Sequence, residues 1–244
     1  MPADPPTDRT DRPRRIHAAV GARLAFAILT AVGCICAAAG CSAVALAGQS
    51  SGNQQFVNDV ATRLSAASTT AYTAEYALHG GGTGTIAQQP STGRASYRYP
   101  TGVAVLTPAG ATTCTAPTSA RAATCSQTKT VAAASPEISR GGLARPDAVV
   151  ALLNTAALDR DSIIAEHDTT IAGTSATCVT VTSGQDGSEE YDACVTADGL
   201  LGSFRGSSDG ASVDMTMLTV TKSVSEKAFA LPAGAVTTDQ SPAN

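Results

Sequence analysis

The chain reads as an α+β domain in which one large, curved antiparallel β-sheet carries two helices across its concave face. Three observations support this reading. Short segments of alternating polar and apolar residues, separated by Gly-rich turns, recur across residues 72–220, as half-buried strands do. Two segments, at 54–64 and 146–157, instead repeat apolar residues at helical spacing. The order helix, strands, helix, strands keeps the helices apart from a single meandering sheet, which defines the α+β class. With 244 residues, 43% of them hydrophobic, the chain can bury one core and still leave appendages at both ends.

Residues 1–23 are rich in Pro, Asp and Arg and have no apolar period, so they are read as a disordered basic tail. Arg12, Arg14, Arg15 and Arg23 precede an uncharged run, 24–47, and positive charge on this flank keeps that end in the cytoplasm. Arg14-Arg15 belongs to the flank, because Ile16-His17-Ala18 after it fit a twin-arginine export signal poorly. Residues 24–48 admit two readings. In the first they are a signal peptide whose small residues Ala38-Ala39-Gly40 precede Cys41. This tetrad resembles a bacterial lipobox, with Ala38 where Leu is usual, and the resemblance implies lipid attachment at Cys41 after cleavage. In the second the run stays uncleaved and spans the membrane, for which about 20 apolar residues suffice; Val44-Ala45-Leu46-Ala47 extend the apolar character past Cys41. The lipoprotein is preferred. Both readings place the body at the extracytoplasmic face of a cell membrane, tethered at its N-terminus by a lipid or a single helix.

A polar spacer, 49–53, leads to a domain expected over 54–233. Phe56, Val57, Val60, Ala61 and Leu64 share a face opposite Gln55, Asn58, Asp59 and Arg63, which predicts a helix ending in the Ser/Thr cluster at 65–70. Strands follow. Tyr72, Ala74, Tyr76 and Leu78 alternate with Thr73, Glu75, Ala77 and His79, and Gly80-Gly81-Gly82 turns the chain into 83–88. Ala95, Tyr97 and Tyr99 alternate with Arg94, Ser96 and Arg98 until Pro100 stops the strand. Segments 102–106 and 111–114 continue the meander, Cys114 and Cys125 bracket a loop, and 136–145 is a loop of turn residues. Pro146 suits the first turn of a helix whose apolar face is Val149, Val150, Leu153, Ala156 and Ala157. The polar tail 234–244 is expected to be disordered.

The C-terminal half is organised around 163–232. One strand ends at Ala172-Gly173. In the next, Val179 and Val181 face one way, and Cys178, Thr180 and Thr182 the other. Then Tyr191, Ala193 and Val195 oppose Asp192, Cys194 and Thr196. The connection between these strands holds Asp186-Gly187 and predicts a hairpin. A register symmetric about Asp186 sets Cys178 opposite Cys194, both pointing away from the apolar residues, where a disulfide closes without entering a core. A strand over 213–220 and the closing Phe229-Ala230-Leu231-Pro232 complete the chain. Of seven cysteines, Cys34, Cys36 and Cys41 lie in the N-terminal apolar run. The even set Cys114, Cys125, Cys178 and Cys194 points to disulfides in an exported domain. Four cysteines allow three connectivities; the local one, Cys114 with Cys125 and Cys178 with Cys194, is preferred. Zinc ligation by four cysteines usually needs closely spaced pairs, whereas residues 115–124 separate the nearest pair here.

The strands offer one apolar face of Tyr72, Tyr76, Tyr97, Tyr99, Val179, Val181, Val213, Met215 and Met217. Two helices are too few to cover a wide curved sheet, and a part-covered concave face is a common site for an apolar ligand. These nine residues are the candidate cavity lining. A net charge of −4 with scattered basic residues gives no nucleic-acid footprint. The glycines at 80–84 lack the Lys-Ser/Thr and helix of a phosphate loop, and no Gly-x-Ser-x-Gly elbow is present. His79 and His167 are the only histidines of the body. Glu166 and Asp168 flank His167 on a strand, so both point to the opposite face and cannot orient its ring. Asp159, Asp161, Asp186, Glu189 and Glu190 lack the alternating oxygen set of a calcium loop. No catalytic residue, metal or cofactor is expected, and the chain does not read as an enzyme.

The element order, with Cys178-Val179-Thr180-Val181, Asp198-Gly199-Leu200-Leu201 and Phe229-Ala230-Leu231-Pro232, resembles the lipoprotein-carrier superfamily of LolA and LolB over residues 54–233. Within it the resemblance is to the actinobacterial envelope lipoproteins of the LppX and LprG kind. It implies a half-barrel sheet with helices across its mouth, holding the acyl chains of a lipid or lipoglycan and making or breaking no bond. Relatives of the RseB type imply an alternative, an envelope stress sensor that binds a protein partner and carries no lipid. This chain departs from the lipid carriers in its aromatic content of 4% and its many Ala, Thr and Ser sheet positions. Such side chains make the cavity either roomier or shallower.

Overall fold

The alternating segments form strands β1 (Tyr72–Leu78), β2 (Thr83–Gln89), β3 (Arg94–Tyr99), β4 (Gly102–Thr107), β5 (Gly110–Thr115) and β6 (Thr124–Thr128). The second half of the chain adds β7 (Ile163–Ile171), β8 (Thr174–Thr182), β9 (Tyr191–Thr196), β10 (Leu201–Ser208), β11 (Ala211–Thr221) and β12 (Val236–Asp239). In this computed structural model they build one open sheet, β12-β6-β5-β4-β3-β2-β1-β11-β10-β9-β8-β7. Two meanders meet where β1 pairs with β11, and every pairing is antiparallel except β12 on β6. The sheet is therefore mixed by one edge pair. The structure describes residues 40–182, 184 and 191–240. The expected tail 1–23, most of the run 24–48 and the turn around Asp186 lie outside them. By contact the chain divides into Met1–Ser42 and Ala43–Asn244, and the second unit holds the sheet.

Helices α1 (Gly40–Ala66), α2 (Ser135–Arg140) and α3 (Pro146–Leu158) accompany the sheet. Pro146 sits in the first turn of α3, where its missing N–H costs nothing. Val57, Val60, Ala61 and Leu64 of α1, Ile138 of α2, and Val149, Leu153, Ala156 and Ala157 of α3 are buried in one cluster with Tyr76, Ile86, Phe204 and Met215 of the sheet. This is the α+β architecture that the sequence predicts. Among the described residues no helix is long and apolar enough to cross a membrane.

Five features depart from the expectation. β6, not anticipated as a strand, begins where the loop bracketed by Cys114 and Cys125 ends and pairs with β5. Residues 49–53, read as a spacer, continue α1. Part of the loop 136–145 is the short helix α2. The tail 234–244 contains β12, whose N–H and C=O groups extend the sheet beside β6 although all four of its side chains are exposed. Between β9 and β11 lies β10, not anticipated as a strand, which pairs with both.

The turn Asp198-Gly199 seats α1. Gly199 has φ +82°, and a Cβ there would lie 2.7 Å from the Arg63 carbonyl oxygen in the last turns of α1. Only glycine allows that approach. A second, smaller core lies apart from the helices, where Phe229 packs with Val103, Val105, Cys114 and Cys125.

Candidate functional site: a cavity between helices and sheet

Where α1 and α3 leave the sheet incompletely filled, a cavity of about 280 Å³ remains. Leu64 from α1, Tyr72, Tyr97 and Leu106 from the sheet, Val150 from α3, and Leu201 from β10 supply apolar walls. Gln88, Arg145 and Asp147 provide the polar part of the lining. The Arg145 side chain is only 12% exposed, yet it is fully engaged. Its guanidinium donates to both Asp147 oxygens, Nε to Oδ1 at 3.0 Å, and to the Ser135 hydroxyl. Charge at the cavity is thus paired, as a part-buried cation requires. Gln88 donates from Nε2 to the carbonyls of Ala67, Ser68 and Thr70, which ties the segment after α1 to β2.

Of the nine residues expected to line a cavity, Tyr72 and Tyr97 do so. Tyr76, Val179, Val181, Val213, Met215 and Met217 are buried in the core that the helices cover. The Tyr76 hydroxyl donates to the Leu201 carbonyl at 2.8 Å, and Met215 Sδ accepts from the Ala144 N–H at 3.3 Å. These two side chains are structural. Tyr99 is half-buried where α2 ends, and its ring fills the space that a Cβ on Gly141 would need. Burial raises the Tyr72 and Tyr97 hydroxyls well above their ordinary range; at Tyr97, Tyr72 and Asp147 add to the rise while Arg145 opposes it. Both are neutral hydrogen-bonding groups at physiological pH.

Leu106, Val131 and Arg145 carry much of the cavity and lie outside the nine candidates, as does Leu201, which belongs to the motif Asp198-Gly199-Leu200-Leu201. Each sits at the end of an element or in a loop, where periodicity is silent. The backbone of Cys41, the lipid-attachment candidate, lies near the start of α1. Both disulfides follow the local connectivity, Cys114–Cys125 and Cys178–Cys194. Cys178 pairs with Cys194 in the register symmetric about Asp186, but the bond does not lie outside a core as expected: both cysteines are buried in the main cluster, because packed neighbours cover this face of the strands too.

Solved structures resemble the chain, three of them as follows. An uncharacterized conserved protein from Thermus thermophilus aligns with a TM-score of 0.46 at 10% identity, over 75% of this chain and 98% of its own. MucB in complex with MucA(peri) aligns with a TM-score of 0.44 at 12% identity, over 72% and 60%. The Pseudomonas aeruginosa MucA/MucB complex gives 0.44 at 12%, over 73% and 62%. The chain thus spans about three fifths of the length of the two chains from the MucA/MucB complexes. No protein-family model and no curated protein matches the chain. At these similarities none of the three bears on function.

Proposed function

We propose that this chain is a non-catalytic binding protein, tethered to a membrane at its extracytoplasmic face, that takes an apolar chain of a lipid into the cavity between α1, α3 and the sheet. The observation that carries this reading is the cavity itself: mostly apolar walls with one paired cation, Arg145, among its lining. An amphiphile places its chain against the leucines and its polar head near Arg145 and Asp147. Its volume sets the cargo. A methylene fills about as much space as a liquid water, roughly 30 Å³, so about 280 Å³ takes one short acyl segment. The basic flank and apolar run at 12–47 support the tether, and the sequence resemblance to LppX and LprG supports the lipid class.

Mass spectrometry of organic extracts from detergent-free domain, made in an exporting host, tests this. The expected result is one recurrent lipid at near-stoichiometric amount, lost on Val150→Arg with the thermal unfolding midpoint little changed. A clean extract from folded, disulfide-bonded protein would reject the reading.

A second reading rests on β7. Among the described residues it is the last strand of the sheet, and Ile171 alone of its nine residues is buried. Such an edge offers backbone donors and acceptors to an added strand. An envelope protein bound there would make the chain an interaction module. Stoichiometric copurification of one protein without lipid, abolished by Thr169→Pro, distinguishes this case.

A further inference from the structure

Strand register assembles a second cluster on the face of the sheet opposite Val179 and Val181. His167 of β7 lies across from Cys178 of β8, and Cys178 lies across from Cys194 of β9. Asp192, two residues before Cys194, shares its face. One donor atom from each of the four lies within 4.8 Å of all the others. His167 Nε2 is 3.8 Å from Asp192 Oδ2, and the Thr180 hydroxyl donates to that same oxygen at 2.7 Å, which holds the carboxylate in place. Asp192 Oδ1 is 3.5 Å from Cys194 Sγ.

We propose that reduction of Cys178–Cys194 converts this staple into a zinc site with two thiolates, one imidazole and one carboxylate as ligands. Tetrahedral zinc, with bonds of about 2.0–2.3 Å, spaces its ligand atoms roughly 3.3–3.8 Å apart. The His167–Asp192 distance of 3.8 Å is a few tenths of an ångström above the roughly 3.3–3.5 Å of an N,O pair on zinc, so a small side-chain movement closes it; the sulfurs reach their spacing only when their bond opens. A dithiol reductant gives two electrons and two protons to the disulfide, which yields two thiols and the oxidised cyclic disulfide of the reductant. Zinc then displaces the two thiol protons. Two thiolates and a carboxylate leave the bound ion with a net charge of −1; Arg205, across from Asp192 on β10, is itself paired with Asp214 at 3.1 Å in the cleft that both share with His167 and Asp192.

The surroundings suit a metal. Cys178 and Cys194 are buried, whereas the side chains of His167 and Asp192 are 49% and 30% exposed, so the ion enters from the solvent side. That side is an open cleft of about 500 Å³ that Thr180, Ser203 and Arg205 also line. Sequence spacing points away from zinc because no close ligand pairs occur; here the ligands come from three strands. Among the described residues no comparable donors surround Cys114 and Cys125. Because bound zinc stabilises only the folded chain, the site would clip β7, β8 and β9 together under conditions that open the disulfide.

The test uses full-length chain in detergent, reduced with a phosphine, which does not compete for the metal; water supplies the oxygen of the phosphine oxide and the two thiol protons. Cobalt(II) is the probe, with zinc added afterwards. A Cys178→Ser/Cys194→Ser variant serves as reference for metal held by Cys34, Cys36, Cys41, Cys114 or Cys125. The expected result is one additional cobalt with a thiolate charge-transfer band, present only after reduction and displaced by zinc. His167→Ala and Asp192→Asn should each weaken that binding at least about tenfold. Equal spectra for wild type and the double-serine variant, or full affinity in either single variant, would overturn the proposal.

Discussion

Arg94 shows how single side chains hold the end of the chain to the sheet. From β3 its Nη1 and Nη2 donate to the two Glu226 oxygens at 3.0 and 2.7 Å, while its guanidinium lies 4.3 Å from the centre of the Phe229 ring. That hydrogen bonding holds the Glu226 carboxyl below its usual range. The motif Phe229 to Pro232 is thus legible as a cover for the second core. The five tyrosines carry a stronger pH signature. Burial raises the hydroxyls of Tyr72, Tyr76, Tyr97 and Tyr191, and it pushes Tyr99 up to about 12, with Glu137 adding and Arg140 opposing. A hydroxyl whose folded pKa exceeds its unfolded one contributes stability that is complete below the unfolded value, near 10, and lost as pH rises toward the folded value. Tyrosinate absorbance should therefore emerge together with loss of the sheet's circular dichroism. A smooth titration near pH 10 with the dichroism intact would contradict the burial of these rings.

Among the elements, the docking of α1 on the Asp198-Gly199 turn is open to a direct comparison. Gly199 and Gly210 both have left-handed φ, +82° and +79°, but only Gly199 faces the Arg63 carbonyl; around Gly210 nothing lies within 4 Å. Gly199→Ala should cost roughly 1–3 kcal/mol more than Gly210→Ala, since it adds a steric clash to the same backbone strain. Denaturant unfolding reads the difference; equal losses would mean that α1 does not seat on this turn. The same scale explains what was readable in the sequence. Strands with one buried face, such as β1 and β8, declare themselves by alternation. In β10, Gly202, Ser203, Gly206, Ser207 and Ser208 dilute the apolar pattern to Leu201 and Phe204, so the strand is held by its two neighbours rather than by its own pattern. β12 buries no side chain at all, and no hydrophobic signal could have marked it. Two of the nine cavity candidates line the cavity because alternation tells which face a residue occupies, but not where helices seal that face. The cluster of His167, Cys178, Asp192 and Cys194 needed the register of three strands, of which only the Cys178–Cys194 pairing followed from the turn.

At the scale of the molecule, the two disulfides staple separate parts of the sheet, β5 to β6 and β8 to β9, and neither lines the cavity. They close loops with sequence separations of 11 and 16. Chain entropy assigns each loop about 3 kcal/mol, a large share of the roughly 5–15 kcal/mol that holds a domain together. Because Cys114 and Cys125 pack with Phe229 while Cys178 and Cys194 belong to the main cluster, the two losses should add. Replacing each pair by serine, alone and together, and measuring unfolding in the presence of a chelator gives the three values needed. The double replacement should cost the sum of the single ones to within about 0.5 kcal/mol. Any lipid recovered from the wild-type domain should persist in whichever variants remain folded. A loss for the combined variant well beyond the sum would show that the two arms communicate through the sheet. The cavity between them would then belong to one coupled unit rather than to a scaffold with independent staples.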